Sequence, residues 1–410
     1  MDRRVFLKNG SLALLSLGFA PAFIARSVQA ARAKQKVLVA IFQRGAVDGL
    51  NMIVPFGESA YYQARPSLAI GKPGSPGGAV DLDGFFGFNP RMAPLEPFFK
   101  RGELAIVTAC GSHDETRSHF DAQDYMESGT PGVKATRDGW LNRYLHAKEH
   151  EAKDTPFRAV AVAPTLPRSL QGSAPALAIS QLNQFGIKAG RNTDMVEQSF
   201  ASEYAQAADR LLASTGKEAF DAVKMLKGTN PGTYTPANGA EYPRSGFGDA
   251  MKQIAQLVKS DLGLEVAFAE VGGWDTHVQQ MQPGNLPARL DDFSKGIAAF
   301  ATDLGDDMAD VVLMTMSEFG RAVQENGNRG TDHGHGNTMM IMGGPVKGGK
   351  VYGKWPGLAR EQRYQGRDLA ITTDFRDVFA EVVTGHLGAK DISQVFPGYV
   401  YKGKVGFLRA

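Results

Sequence analysis

The chemistry-bearing residues of this chain are concentrated in a few places. Of eight histidines, five fall in three polar clusters, each beyond a short apolar run. His113 and His119 lie in Gly-Ser-His-Asp-Glu-Thr-Arg-Ser-His-Phe-Asp at 111–121. His277 closes Gly-Gly-Trp-Asp-Thr-His at 272–277. His333 and His335 lie in Gly-Thr-Asp-His-Gly-His-Gly at 330–336, after Ser317-Glu318-Phe319-Gly320-Arg321. Imidazole suits transition metals and carboxylate suits harder cations. Asp275, His277, Asp332, His333 and His335 therefore make a mixed shell for one or two divalent ions, favouring zinc or manganese over calcium. Gly272, Gly273, Gly330, Gly334 and Gly336 let the backbone turn tightly and bring short side chains to an ion. Asp and His in such loops also cap helices and bond turns, which is the competing role.

Other residues could join this chemistry. Ser118 stands before a helix expected to run to Glu127, as either a nucleophile favoured by backbone donors or an N-cap. Thr116 competes for both roles. Asp48, in Arg-Gly-Ala-Val-Asp-Gly-Leu-Asn at 44–51, offers a further carboxylate or an Asp-Gly turn. Glu318 and Arg321 are expected to pair and brace the site. Arg321 or Arg117 could neutralise an anionic group in transfer. His146 and His150 belong to a charged helical stretch, and His386 is expected to be buried or capping. Cys110, the only cysteine, sits in an apolar run and reads as a small buried hydrophobe.

The elements that must position these residues follow from hydrophobic patterning. Apolar runs at 37–42, 104–109, 158–163, 264–271, 311–316 and 339–342 lack polar alternation, as strands of a parallel sheet covered on both faces do. Helical spacing of Met251, Ile254 and Val258 marks a helix at 246–259; Phe293, Ile297, Phe300 and Leu304 mark another at 287–304. Alternation of the two predicts a layered α/β domain with a mostly parallel central sheet and helices on both faces. Loops leaving the carboxyl ends of parallel strands meet on one rim, so the separated clusters can converge there. Gly/Pro-rich segments at 71–78 and 228–246 are excursions from this scaffold, and an alanine- and charge-rich stretch at 194–226 fits a helical insertion (about 190–230).

The first thirty residues have the layout of a twin-arginine export signal. Arg3 and Arg4 precede Phe6, Leu7 and Lys8, then an apolar stretch at 12–24 and the exit Val28-Gln29-Ala30. The apolar stretch falls short of the ~20 residues of a spanning helix, so cleavage after Ala30 is expected, with no stable membrane insertion. Such a signal implies the twin-arginine machinery as a partner and a periplasmic or secreted protein folded before export. Cleavage takes out Arg3, Arg4, Lys8, Arg26 and Asp2, leaving 41 basic residues against 42 acidic ones. That balance carries no footprint for nucleic acid or an anionic membrane. Residues 31–410 are expected to form a single domain.

These residues together resemble a large bacterial family known as domain of unknown function 1501. The motif at 44–51, Ser118-His119-Phe120-Asp121-Ala122-Gln123, Trp274-Asp275-Thr276-His277, and Ser317-Glu318-Phe319-Gly320-Arg321 with Asp332-His333-Gly334 carry the resemblance. Through the last motif the chain is distantly similar to the alkaline phosphatase, sulfatase and cofactor-independent phosphoglycerate mutase superfamily. The resemblance implies an alkaline phosphatase-like core, Asp332 and His333 on one metal, Asp275 and His277 on a second, and Asp48 as the aspartate after the first strand. It also implies Ser118 at the nucleophile position and His335, or else His386, as last ligand. The expected function is hydrolysis of phosphate or sulfate esters. A non-catalytic binding or scaffold protein recognising an envelope polymer, and a protein whose ion is structural, are the alternatives.

Overall fold

Strand β1 (Val37–Gln43) is buried along its whole length, and its side chains feed two separate cores. Val37, Val39 and Ile41 enter one, Leu38, Ala40 and Phe42 the other, as the two-residue strand period requires. This central position explains why the sequence shows no polar alternation here. The computed structural model describes residues 35–148, 155–184, 226 and 231–409. Lys36–Ala410 cluster as one compact unit. The stretch expected to form the helical insertion lies outside the described residues, apart from Leu226, which is buried.

Three short strands, β2 (Ile53–Val54), β3 (Val80–Asp81) and β4 (Gly87–Phe88), make a small antiparallel sheet. The main sheet adds β5 (Leu104–Gly111), β6 (Ala159–Ala161), β7 (Leu177–Ala178), β8 (Val266–Val271), β9 (Val311–Met316), β10 (Asn337–Gly343), β11 (Lys350–Tyr352) and β12 (Thr373–Asp374). Its order is β11-β5-β10-β9-β1-β8-β6-β7, with β12 beside β5. Pairings are parallel except those of β10, which runs antiparallel to both β9 and β5. The run at 339–342 is thus a strand, but not one of the parallel set. An apolar run shows burial and not direction.

Among the described residues, five helices of eight residues or more cover the two faces: α1 (His119–Ser128), α2 (Trp140–Ala147), α3 (Gly246–Lys259), α4 (Leu286–Leu304) and α5 (Phe375–Gly385). Phe247, Met251 and Ile254 of α3 join Leu286, Leu290, Phe293, Ile297, Phe300 and Leu304 of α4 on one face. Their three- and four-residue spacing puts them on a single stripe. Trp140, Tyr144, Phe375, Phe379 and Val382 of α2 and α5 cover the other face, where Trp140 stacks on Phe379 at 4.5 Å. Each such side chain, once buried, contributes about 1.5–3 kcal/mol. Capping sets the boundaries: Ser245 accepts from Gly248 N before α3, Asp374 accepts from Arg376 N before α5, and Gly129, at φ +67°, ends α1.

The polar clusters therefore leave the sheet at one rim. β1, β5, β8 and β9 end there, and β10 begins there, with Cys110 opposite Asn337 and Gln43 opposite Val271.

Candidate metal centre

Three loops fold together at this rim, and each is fixed from beneath. After β8, Trp274 is fully buried, donates its indole N–H to Val271 O and packs edge-on against Phe293. Asp275 is thereby held at the surface of the core. Gly45, in the turn after β1, has φ +112°, and a Cβ there would stand 2.9 Å from Asp275 N. Gly330 lies so close under the His277 main chain that a Cβ would meet its carbonyl carbon at 2.2 Å. The turn after β1 and the loop before β10 are each pressed against the loop after β8 at a position only glycine fits.

Arg321 joins them. Its guanidinium is buried and donates to Ala46 O, Thr331 O, Gly45 O, Trp274 O and, at 2.6 Å, to Asp275 Oδ1. Burial alone would raise the Asp275 carboxyl, but the Arg321 hydrogen bond and charge outweigh it and hold the pKa below the usual range. Arg321 is buried and spends its Nε, its Nη2 and one Nη1 hydrogen on groups inside the protein, so it is placed to brace these loops and not to meet a substrate anion, as the sequence had suggested it could. The expected Glu318–Arg321 pair does not form either.

Glu318 instead turns to α1. Its Oε1 accepts from Gly45 N, Gln123 Nε2 and, at 2.9 Å, faces His119 Nδ1, while Oε2 accepts from Ser317 Oγ. Burial would raise this carboxyl, and its hydrogen bonds, that of His119 first, leave it lowered. The same contact raises the His119 pKa.

Around Asp275 stand three imidazoles. His119 Nε2 is 3.5 Å from Oδ2, and His277 Nε2 and His333 Nε2 are 3.0 and 3.4 Å from Oδ1. His277 Nε2 and His333 Nε2 approach each other to 3.0 Å. The ligand atoms of His119, Asp275 and His333 all lie within 4.8 Å of one another. Phe319 packs under His119 and His333 at ring separations of 5.0 and 5.1 Å, giving the site an apolar floor. Burial lowers the His333 pKa, so that ring is held neutral.

The outer ring nitrogens settle the orientation of all three. His119 Nδ1 faces the Glu318 carboxylate, His277 Nδ1 faces Asp332 Oδ1 at 3.3 Å, and His333 Nδ1 faces Arg117 O at 2.8 Å. Each partner is an acceptor, so each Nδ1 carries a proton, and in the neutral ring each Nε2 turns a lone pair inward. His119 Nε2 is buried with no hydrogen-bond partner. Lone pairs facing one another beside a carboxylate fit a cation, and an imidazole whose far N–H rests on an oxygen is the usual arrangement of a metal-binding histidine.

The remaining expected ligands are placed elsewhere. Asp332 backs His277 and accepts from Asn326 Nδ2, so it orients a ring and does not enter the group. Asp48 is fully buried and turned inward, paired with Arg65 at 2.6 Å and accepting from Gln280. His335 stacks on Tyr364 at 4.1 Å, its pKa pushed to about 4 by burial and by His113 and Arg117. His386 is buried at the opposite end of β1, bonded to Val37 O. Arg117 commits its guanidinium to the buried Asp368 and to Gln365, and serves the site through its carbonyl. Ser118 is the exposed N-cap of α1, and its side chain makes no cap bond. Thr116 Oγ1 accepts from Ser118 N. His119, which the structure brings into this group, is the candidate that the sequence reading passed over in favour of the neighbouring serine. Its signal was a histidine at the helix start beyond a buried strand, matching the other two clusters.

A family model described as a protein of unknown function, DUF1501, matches residues 35–380, and the chain belongs to that family. No curated protein matches it. Among solved structures it is similar to the C-terminal periplasmic domain of EcEptC from Escherichia coli, with 9% identity, 92% of each chain covered and a TM-score of 0.41. It is also similar to the PsFucS1 sulfatase from Pseudoalteromonas sp., with 12% identity, 94% of this chain and 74% of that one covered, and a TM-score of 0.40. For the alkaline phosphatase of the Antarctic bacterium TAB5 the values are 10%, 77%, 93% and 0.32.

Proposed function

We propose that this chain is an exported, metal-dependent hydrolase of phosphate or sulfate esters. The divalent ion is held by His119, Asp275 and His333, with His277 beside them. The observation that carries this reading is the inward turn of three Nε2 atoms onto one carboxylate, each with an acceptor behind its ring at Nδ1. The ester class follows from the motif resemblance in the sequence.

When bound, a divalent ion supplies Lewis acidity toward an anionic ester oxygen. Asp275 offers the site its negative charge, kept ionised by Arg321. Ser118, next to His119 and with its hydroxyl free of the helix cap, is the nucleophile of the proposal, since Thr116 is occupied by the Ser118 main chain. The donor set is three imidazoles and a carboxylate, which favours zinc. Asp48 and His335 are engaged elsewhere, so the donors suffice for one ion and not for the bridged pair of a two-ion centre. The reading includes export by the twin-arginine route; no helix among the described residues is long and apolar enough to cross a membrane.

Elemental analysis of protein purified without added metal, followed by hydrolysis assays on aryl phosphate and aryl sulfate, tests the proposal. One ion per chain, with turnover lost in both His119→Ala and Ser118→Ala, is the expected result. An ion whose removal lowers the melting temperature with no turnover in any preparation supports a structural ion instead.

A further inference from the structure

We infer that Gln280 is the positioning residue that holds the ligand-bearing loops in register, with Asp48 and Arg65 as its anchor; this rests on the metal reading above. Gln280 is fully buried, three residues past His277. Its side-chain oxygen accepts from Thr276 Oγ1 at 3.0 Å and from Thr331 Oγ1 at 2.7 Å. Thr276 stands between Asp275 and His277, and Thr331 stands two residues before His333. One oxygen thus links the loop after β8 to the loop before β10. Thr331 N also donates to Thr276 O, at 3.1 Å, so the same two residues are tied through the main chain.

The direction of the amide is fixed by what surrounds it. Its nitrogen donates to Asp48 Oδ2 at 2.5 Å, and a carboxylate can only accept, so the oxygen must face the two hydroxyls. Asp48 is itself immobile. Arg65, buried and bonded to Asp48 Oδ2, also donates to Ala322 O and Val323 O at 2.9 Å, immediately beyond Arg321. The carboxylate that sequence reasoning assigned to the ion therefore serves it at one remove, through Arg65, Asp48, Gln280 and the two threonines. A slip at Gln280 shifts Asp275 and His277 against His333, which changes the spacing of donors that must meet one ion.

Removing partners that orient metal ligands typically weakens affinity about 10- to 100-fold. Zinc titrations of the full chain, and cobalt titrations read by visible absorption, test the inference. Thr331→Val, which keeps the shape and loses the hydroxyl, and Gln280→Leu are expected to raise the zinc Kd about 10- to 100-fold and to move the cobalt band. If Gln280→Leu does not fold, Thr331→Val decides. Folded variants with the unaltered zinc Kd and cobalt spectrum, and a lower metal-free melting temperature, would overturn the role of Gln280 alone. Failure of the unaltered chain to bind zinc or cobalt would remove the metal reading beneath it.

Discussion

At the residue scale, the atoms behind the imidazoles fix the geometry of the rim. Glu318 holds His119 by Nδ1, so Glu318→Gln should leave a hydrogen bond but lose the charge that strengthens it. A zinc Kd about 10-fold weaker, read by calorimetry, is expected from that change. His119→Ala removes a donor outright and should leave no zinc after gel filtration. Arg321 is the other decisive residue, because its guanidinium satisfies four carbonyls and Asp275 inside the protein. Lysine cannot reach that many acceptors from one nitrogen. Arg321→Lys should therefore cost about 1–3 kcal/mol in urea unfolding for each buried carbonyl it leaves unpaired. A loss under 1 kcal/mol would show that the loops are held by something else.

At the scale of elements, the turn after β1 is the tightest joint. Gly45→Ala places a Cβ against Asp275 N at a φ of +112°, and a destabilisation of about 1–3 kcal/mol is expected in the same unfolding experiment. This scale also shows what the sequence could reveal. The buried strands were legible because β1, β8 and β9 are covered on both faces and carry apolar runs, interrupted in β8 by the exposed Glu270 near its end and in β9 by the buried Thr315. Helices α3 and α4 were legible from their apolar stripes, to within a residue at each start. The reversal of β10 was not, since direction leaves no mark on a run buried in either sense. The rim was anticipated, and with it the meeting of Asp275, His277 and His333. Individual roles at the rim were harder to read. A carboxylate at 48 gives no sign that Arg65 waits for it in the interior, and Asp332 differs from Asp275 only in which side of His277 it occupies. His119 was overlooked because a hydroxyl at a helix start suggests chemistry more readily than the residue after it.

For the molecule as a whole, acid stability offers a check remote from the rim. His386 is buried beside the start of β1, with its pKa lowered to about 4 chiefly by burial. The unfolded chain takes up this proton near pH 6.5 and the folded chain only near 4. Stability from this group is therefore complete above 6.5 and falls as the pH drops from 6.5 toward 4, by about 3 kcal/mol in all. His386→Gln keeps a donor for Val37 O and should flatten that limb in unfolding experiments across this range. An unchanged slope would assign the acid sensitivity to other groups. For the rim itself, the most direct test is the metal content of the purified chain beside that of His119→Ala. One zinc-class ion per folded chain, absent from the variant, is predicted. A folded, unaltered chain without any bound transition metal, even after dialysis against zinc, would contradict it.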